Sequence, residues 1–141
     1  MIVLGMLVTV ILIFIAGIHL FWFFDGAWGF EEVLPTHLNG KRVLNPKKID
    51  SLSVGLFISF FALIYCVKSL NITISFLPDW ILKYGLYIIS SVFLVRAIGD
   101  FKYVGFFKKI KETTFGELDS KYFSPLCFVM GIVGILLEVI K

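Results

Sequence analysis

His19, Trp22 and Asp25 follow one another at three-residue steps, so on a helix they form one stripe. An imidazole there can take up or release a proton near neutral pH, or simply hydrogen-bond a neighbouring helix. Arg96 and Asp100 are four residues apart and on one helix would face each other as an ion pair. Asp119 lies in Leu118-Asp119-Ser120-Lys121-Tyr122-Phe123-Ser124-Pro125. There Pro125 suits the first turn of a helix, and Ser120 or Ser124 is a plausible cap. Proton transfer, ion pairing and capping are thus the available chemistries. Among the motifs, none is a phosphate-binding glycine loop, a nucleophile elbow or a metal-ligand pair at helical spacing, so neither metal nor cofactor is expected.

The elements that must position these groups are membrane spans. Hydrophobic residues make up 59% of the 141-residue chain and charged residues only 16%, against about 25% in soluble domains. From Ile2 to Phe24 His19 is the only titratable side chain. A helix of that length is about 35 Å long, enough to cross a bilayer. Further apolar runs cover about 52–67, 80–98 and 122–137. The expected fold is all-α, an integral membrane four-helix bundle of one domain over 1–141. No Lys or Arg precedes the first run, so it reads as a span rather than a cleaved signal peptide. Lys68 and Lys83 are expected to snorkel to the interface.

Loop 1 (25–50) contains turn signals at Pro35, Asn39-Gly40 and Asn45-Pro46. Loop 3 (99–121) mixes Phe and Lys, and residues 101–112 read as a short amphipathic surface helix. Loops 1 and 3 hold Lys41, Arg42, Lys47, Lys48, Arg96, Lys102, Lys108, Lys109, Lys111 and Lys121. The other side has only Lys68, Lys83 and Lys141. The positive-inside rule places loops 1 and 3 in the cytoplasm. Each half also reads as a span, an Asp among Gly and aromatics, a basic stretch and a second span. That pattern fits two related hairpins.

Most ionisable groups converge on the loop 1/loop 3 side: His19, Asp25, Glu31, Glu32, Arg96, Asp100 and Asp119. A polar pocket at that mouth of the bundle is the candidate site. Trp22 and Trp28 read as aromatic-belt anchors at its edge. Lys108, Lys109 and Lys111 read as headgroup contacts. Cys66 and Cys127, without a C-x-x-C, read as buried structural thiols. The sequon Asn71-Ile72-Thr73 lies almost against the membrane and reads as chance.

Three ordered motifs carry a family resemblance. His19-x-x-Trp22 with Asp25-Gly26-Ala27-Trp28-Gly29 and Pro35-Thr36 comes first. Arg96-Ala97-Ile98-Gly99-Asp100-Phe101-Lys102-Tyr103-Val104-Gly105-Phe106-Phe107-Lys108 is the second. Asp119, Tyr122, Ser124-Pro125-Leu126-Cys127 and Gly131 form the third. Together they resemble the signatures of a small bacterial family of integral membrane proteins, a domain of unknown function. The resemblance implies four spans and a bacterial inner (plasma) membrane, and carries no reaction.

The expected function is binding of a small molecule or lipid at the polar pocket. His19, Trp22, Asp25, Trp28, Arg96, Asp100, Tyr103 and Asp119 are the candidate ligand contacts. One alternative is a membrane enzyme acting on a lipid-like substrate, with His19 or Asp100 as acid/base. The other is an accessory subunit with a membrane-protein partner. Membrane lipids are expected partners, and nucleic acid is not.

Overall fold

The computed structural model describes residues 1–140, and within them the fold is all-α. Helix α1 spans Ile2–Phe23, α2 Lys48–Leu70 and α3 Asp79–Ile98. A short α4 (Thr114–Leu118) runs through a π-helical turn (Asp119–Phe123) into α5 (Ser124–Val139), giving one continuous rod over Thr114–Val139. Four helices are long and apolar enough to cross a membrane, and the apolar exterior makes this a multi-pass membrane protein. Large apolar side chains such as Val3, Phe14, Phe57 and Val95 point outward, where lipid is the natural solvent.

Local chemistry sets the helix ends. At the start of α2 the Asp50 carboxylate accepts from the Lys47 N–H (2.7 Å), an acid at the positive end of the helix. Asn71 ends α2 in a left-handed conformation (φ 53), with the Ile72 N–H bonded back to the Val67 carbonyl (3.0 Å). The sequon is thus part of a helix cap. Pro78 and Asp79 open α3, and Gly99 closes it.

The helices pack as two antiparallel pairs, α1 along α2 and α3 along α5, with fewer contacts between the pairs. Small residues let the backbones approach, as in other membrane helix pairs. A Cβ on Gly55 would lie 3.5 Å from the Ala16 carbonyl oxygen, and one on Gly131 would lie 3.1 Å from that of Ser90. The pairs share one core that includes Val8, Leu12, Ile64, Tyr65, Leu86 and Met130. Two polar contacts cross it. The Tyr65 hydroxyl donates to the Met130 carbonyl (2.7 Å), tying α2 to α5. At the loop 2 end, Lys68 pairs with Glu138 and donates to the Leu82 carbonyl (2.7 Å).

Three expectations are corrected here. Lys68 does not snorkel: its side chain is 10% exposed and that of Glu138 6%, because an opposite charge on α5 is available inside the bundle. Residues 101–112 form no helix. Gly99 (φ 85), Phe101 (φ 65) and Gly105 (φ 89) are left-handed, and a helical ladder cannot pass through them. Cys66 and Cys127 are free thiols, half-buried rather than fully buried.

Candidate functional site

Loop 3 is held by a buried charge cluster that local sequence spacing does not disclose. Asp119 Oδ1 accepts from Arg96 Nη2 (2.8 Å). Its Oδ2 accepts from the Gly105 N–H (2.8 Å), Ser124 Oγ (3.0 Å) and Lys108 Nζ (3.1 Å). Lys108 also donates to the Gly105 carbonyl (3.0 Å). The Asp119 and Lys108 side chains are both 0% exposed. Desolvating these charges is costly, and the dense set of charge-assisted bonds offsets that cost. Arg96 therefore pairs with Asp119 and not with Asp100. Helix α3 stops at Ile98, so Asp100 is no longer on the helical face of Arg96.

Asp100 works on loop 3 itself. Its Oδ1 accepts from the N–H groups of Lys102 (2.9 Å), Tyr103 (2.8 Å) and Val104 (3.0 Å). Slight burial pushes its carboxyl up, but these backbone donors outweigh it and hold the group below the ordinary aspartate value. The chain then folds back. The Phe106 N–H reaches the Ala97 carbonyl (2.7 Å), and the Lys102 carbonyl accepts from Lys109 (3.1 Å) and Ile110 (2.9 Å). Lys102, Tyr103 and Ile110 are thereby fixed on one wall.

Loop 1 builds the opposite wall. The His37 N–H donates to the Lys41 carbonyl (2.8 Å), the Gly40 N–H to the His37 carbonyl (3.0 Å) and the Lys41 N–H to Asn39 Oδ1 (3.0 Å). A single antiparallel bridge, Thr36 to Arg42, and the Val43 N–H to Pro35 carbonyl bond (3.0 Å) close this turn. Arg42 pairs with Glu31 and lies over the Phe30 ring. Trp22 braces the base of the loop, donating from Nε1 to the Trp28 carbonyl (2.7 Å).

The two walls meet where the Tyr103 hydroxyl contacts His37 Nδ1 at 2.8 Å, the rings edge to face. Between them is an open cleft of about 540 Å³ lined by His37, Leu38, Asn39, Lys41, Lys102, Tyr103 and Ile110. The lining has two cations and no carboxylate. A second groove of about 390 Å³, formed by Phe14, Gly17, Ile18, Phe21 and Trp28, is apolar throughout.

Of the residues singled out in the sequence, Tyr103 lines the cleft. Arg96, Asp100 and Asp119 sit behind it and shape loop 3. His19 contacts the Ile15 carbonyl of its own helix through Nδ1 (2.9 Å) and packs on Trp22. Asp25 is exposed and paired with Lys48. Trp22 is 8% exposed, a core residue rather than a belt anchor, whereas Trp28 is 69% exposed. Ser124 donates to Asp119 instead of capping α5. His37 had no sequence signal of its own, Asn39 had only the Asn39-Gly40 turn, Lys41 counted only toward the basic side, and Lys108 had nothing that distinguished it from its neighbours Lys109 and Lys111. Among the described residues no group of His, Cys, Asp and Glu could hold a metal ion.

Residues 12–134 match the family model described as protein of unknown function, DUF3995. The match spans most of the chain, which therefore belongs to that family. No curated protein and no solved structure matches it.

Proposed function

We propose that this DUF3995 chain is one domain that crosses a bacterial inner membrane four times. Loops 1 and 3 lie in the cytoplasm, and the cleft between them holds a small molecule or a lipid. The observation that carries this reading is the cleft itself. Its polar side chains come from two loops, each held by its own backbone hydrogen bonds and in contact through Tyr103 and His37. A site so held needs little reordering when a ligand enters. Tyr103 is a contact residue in this proposal. Arg96, Asp100 and Asp119 serve as supports of loop 3, and Trp22, Asp25 and Trp28 as supports of loop 1. His19 steadies Trp22 from within α1.

The orientation rests on where unpaired cations remain. Lys41, Lys47, Lys102, Lys109, Lys111 and Lys121 lie on the loop 1/loop 3 side, and none takes part in an ion pair among the described residues; on the other side Lys83 is in the same position. Single cysteines at Gly40 and Lys109 should both resist an impermeant thiol reagent in intact cells. Labelling of either one from outside would overturn the orientation. For the site, mass spectrometry of protein extracted in mild detergent should show a retained small molecule or lipid. Asn39→Trp, which fills the cleft from an exposed turn at the loss of one exposed turn hydrogen bond, should remove that species with little change in melting temperature. A retained species indifferent to this substitution would place the ligand elsewhere.

A further inference from the structure

We infer that the group held in the cleft is a phosphate-bearing anion, a conclusion that rests on the ligand-binding reading above. The cleft presents Lys41 and Lys102 with no acidic side chain in its lining, so an anion would meet no opposing charge there. The type of cation matters as well. Arg42 and Arg96, whose planar forks suit carboxylates and phosphates alike, are engaged by Glu31 and Asp119, which leaves the two lysines as the cations that face the cleft. Lysine ammonium groups are point charges and bind the spread oxygens of a phosphate from different directions. Asn39 Oδ1 is occupied by the Lys41 N–H, which leaves the amide NH₂ to donate. Hydrogen-bond donors and two lysines therefore line one open cleft. Ile110 and Leu38, the latter 70% exposed, give the rim an apolar edge for the carbon skeleton attached to the phosphate.

Such a phosphate could arrive on a phospholipid headgroup or on a soluble compound, since the cleft opens between two loops joined to membrane helices. The test uses the full chain in neutral detergent, read by native mass spectrometry. Phosphatidylglycerol, a galactosyl diacylglycerol with the same tails but no phosphate, and inorganic phosphate are each titrated. Phosphatidylglycerol should bind in preference to the galactolipid. Lys41→Gln and Lys102→Gln should each weaken it about fivefold, the scale of one exposed charge contact. Lys83→Gln on the other side of the membrane should leave it unchanged. Lys-dependent binding of inorganic phosphate, with no preference between the two lipids, would assign the anion to a soluble source. Equal retention of both lipids, indifferent to Lys41 and Lys102, would overturn the phosphate assignment while leaving an occupied cleft. Absence of any cleft-dependent binding, with Asn39→Trp as the reference, would overturn the ligand-binding reading as well.

Discussion

Lys108 and Asp119 meet at 3.1 Å with neither side chain reaching the surface. That contact joins the end of the fold-back in loop 3 to the π-helical turn that leads into α5. Arg96 completes it from α3, so two cations share one carboxylate. Removing the negative charge leaves Lys108 fully buried with no opposite charge, and Arg96, one-third exposed, without its partner. Asp119→Asn should therefore cost about 3–5 kcal/mol. Lys108→Met should cost much less, because Arg96, Gly105 and Ser124 still satisfy the carboxylate. The double variant should be more stable than additivity predicts. Melting of the four proteins in one detergent checks all three outcomes, and strict additivity would show that the two side chains do not interact.

Gly99 and Gly105 cross at close range behind this cluster. A Cβ on Gly99 would lie 1.8 Å from the Val104 carbonyl oxygen, and one on Gly105 would lie 2.2 Å from that of Ile98. Both residues also have left-handed φ. Alanine at either position should destabilise by on the order of 1–3 kcal/mol or more, through backbone collision and strain together. Gly17→Ala is the control: nothing lies within 4 Å of its Cβ and the residue is helical. It should be neutral or slightly stabilising. Thermal melting of the three single variants decides the matter, and unchanged melting of Gly99→Ala would reject the crossing.

The Tyr65 hydroxyl is one of the polar ties between the two helix pairs. Tyr65→Phe removes one interhelical hydrogen bond and little volume, and should cost about 1 kcal/mol. Gly134→Ala should cost more, because its Cβ would lie 2.2 Å from Ser90 Oγ and 2.4 Å from the Tyr65 hydroxyl. The ranking of the two melting temperatures is the measurement, and the reverse order would contradict this packing.

Asp100 supplies a pH dependence. Its folded value lies below the ordinary one, so the unfolded loop binds the proton more readily. The stability it contributes is fully present above the unfolded value of about 3.9 and is lost as pH falls through the lower folded value. Amide exchange at Lys102, Tyr103 and Val104, corrected for intrinsic rates, should be protected near pH 6 and lose that protection in strong acid. Asp100→Ala, which removes the shared acceptor, should abolish most of the protection near pH 6. Protection unchanged in that variant would show that the carboxylate does not hold the loop.

The helical class and the approximate places of the long helices were legible in the sequence, because lipid demands continuous apolar runs of set length. The side on which charges gather was legible for the same reason. Pair assignment was not. Arg96 has Asp100 one turn away in sequence, yet bonds Asp119 across 23 positions, since Gly99 ends the helix first. Lys108, Lys109 and Lys111 look alike in sequence, and only the fold-back at Gly105 buries the first of them.

Composition and hydropathy thus decided that this is an all-α membrane protein with its polar groups concentrated at one end. Those properties depend on the solvent around each segment, and a segment carries that information locally. Which ionisable groups are consumed in bracing, and which remain to face a ligand, was decided by the tertiary structure. Burial of a charge is settled by partners far apart along the chain, and side chains of one residue type acquire different roles when the backbone turns between them.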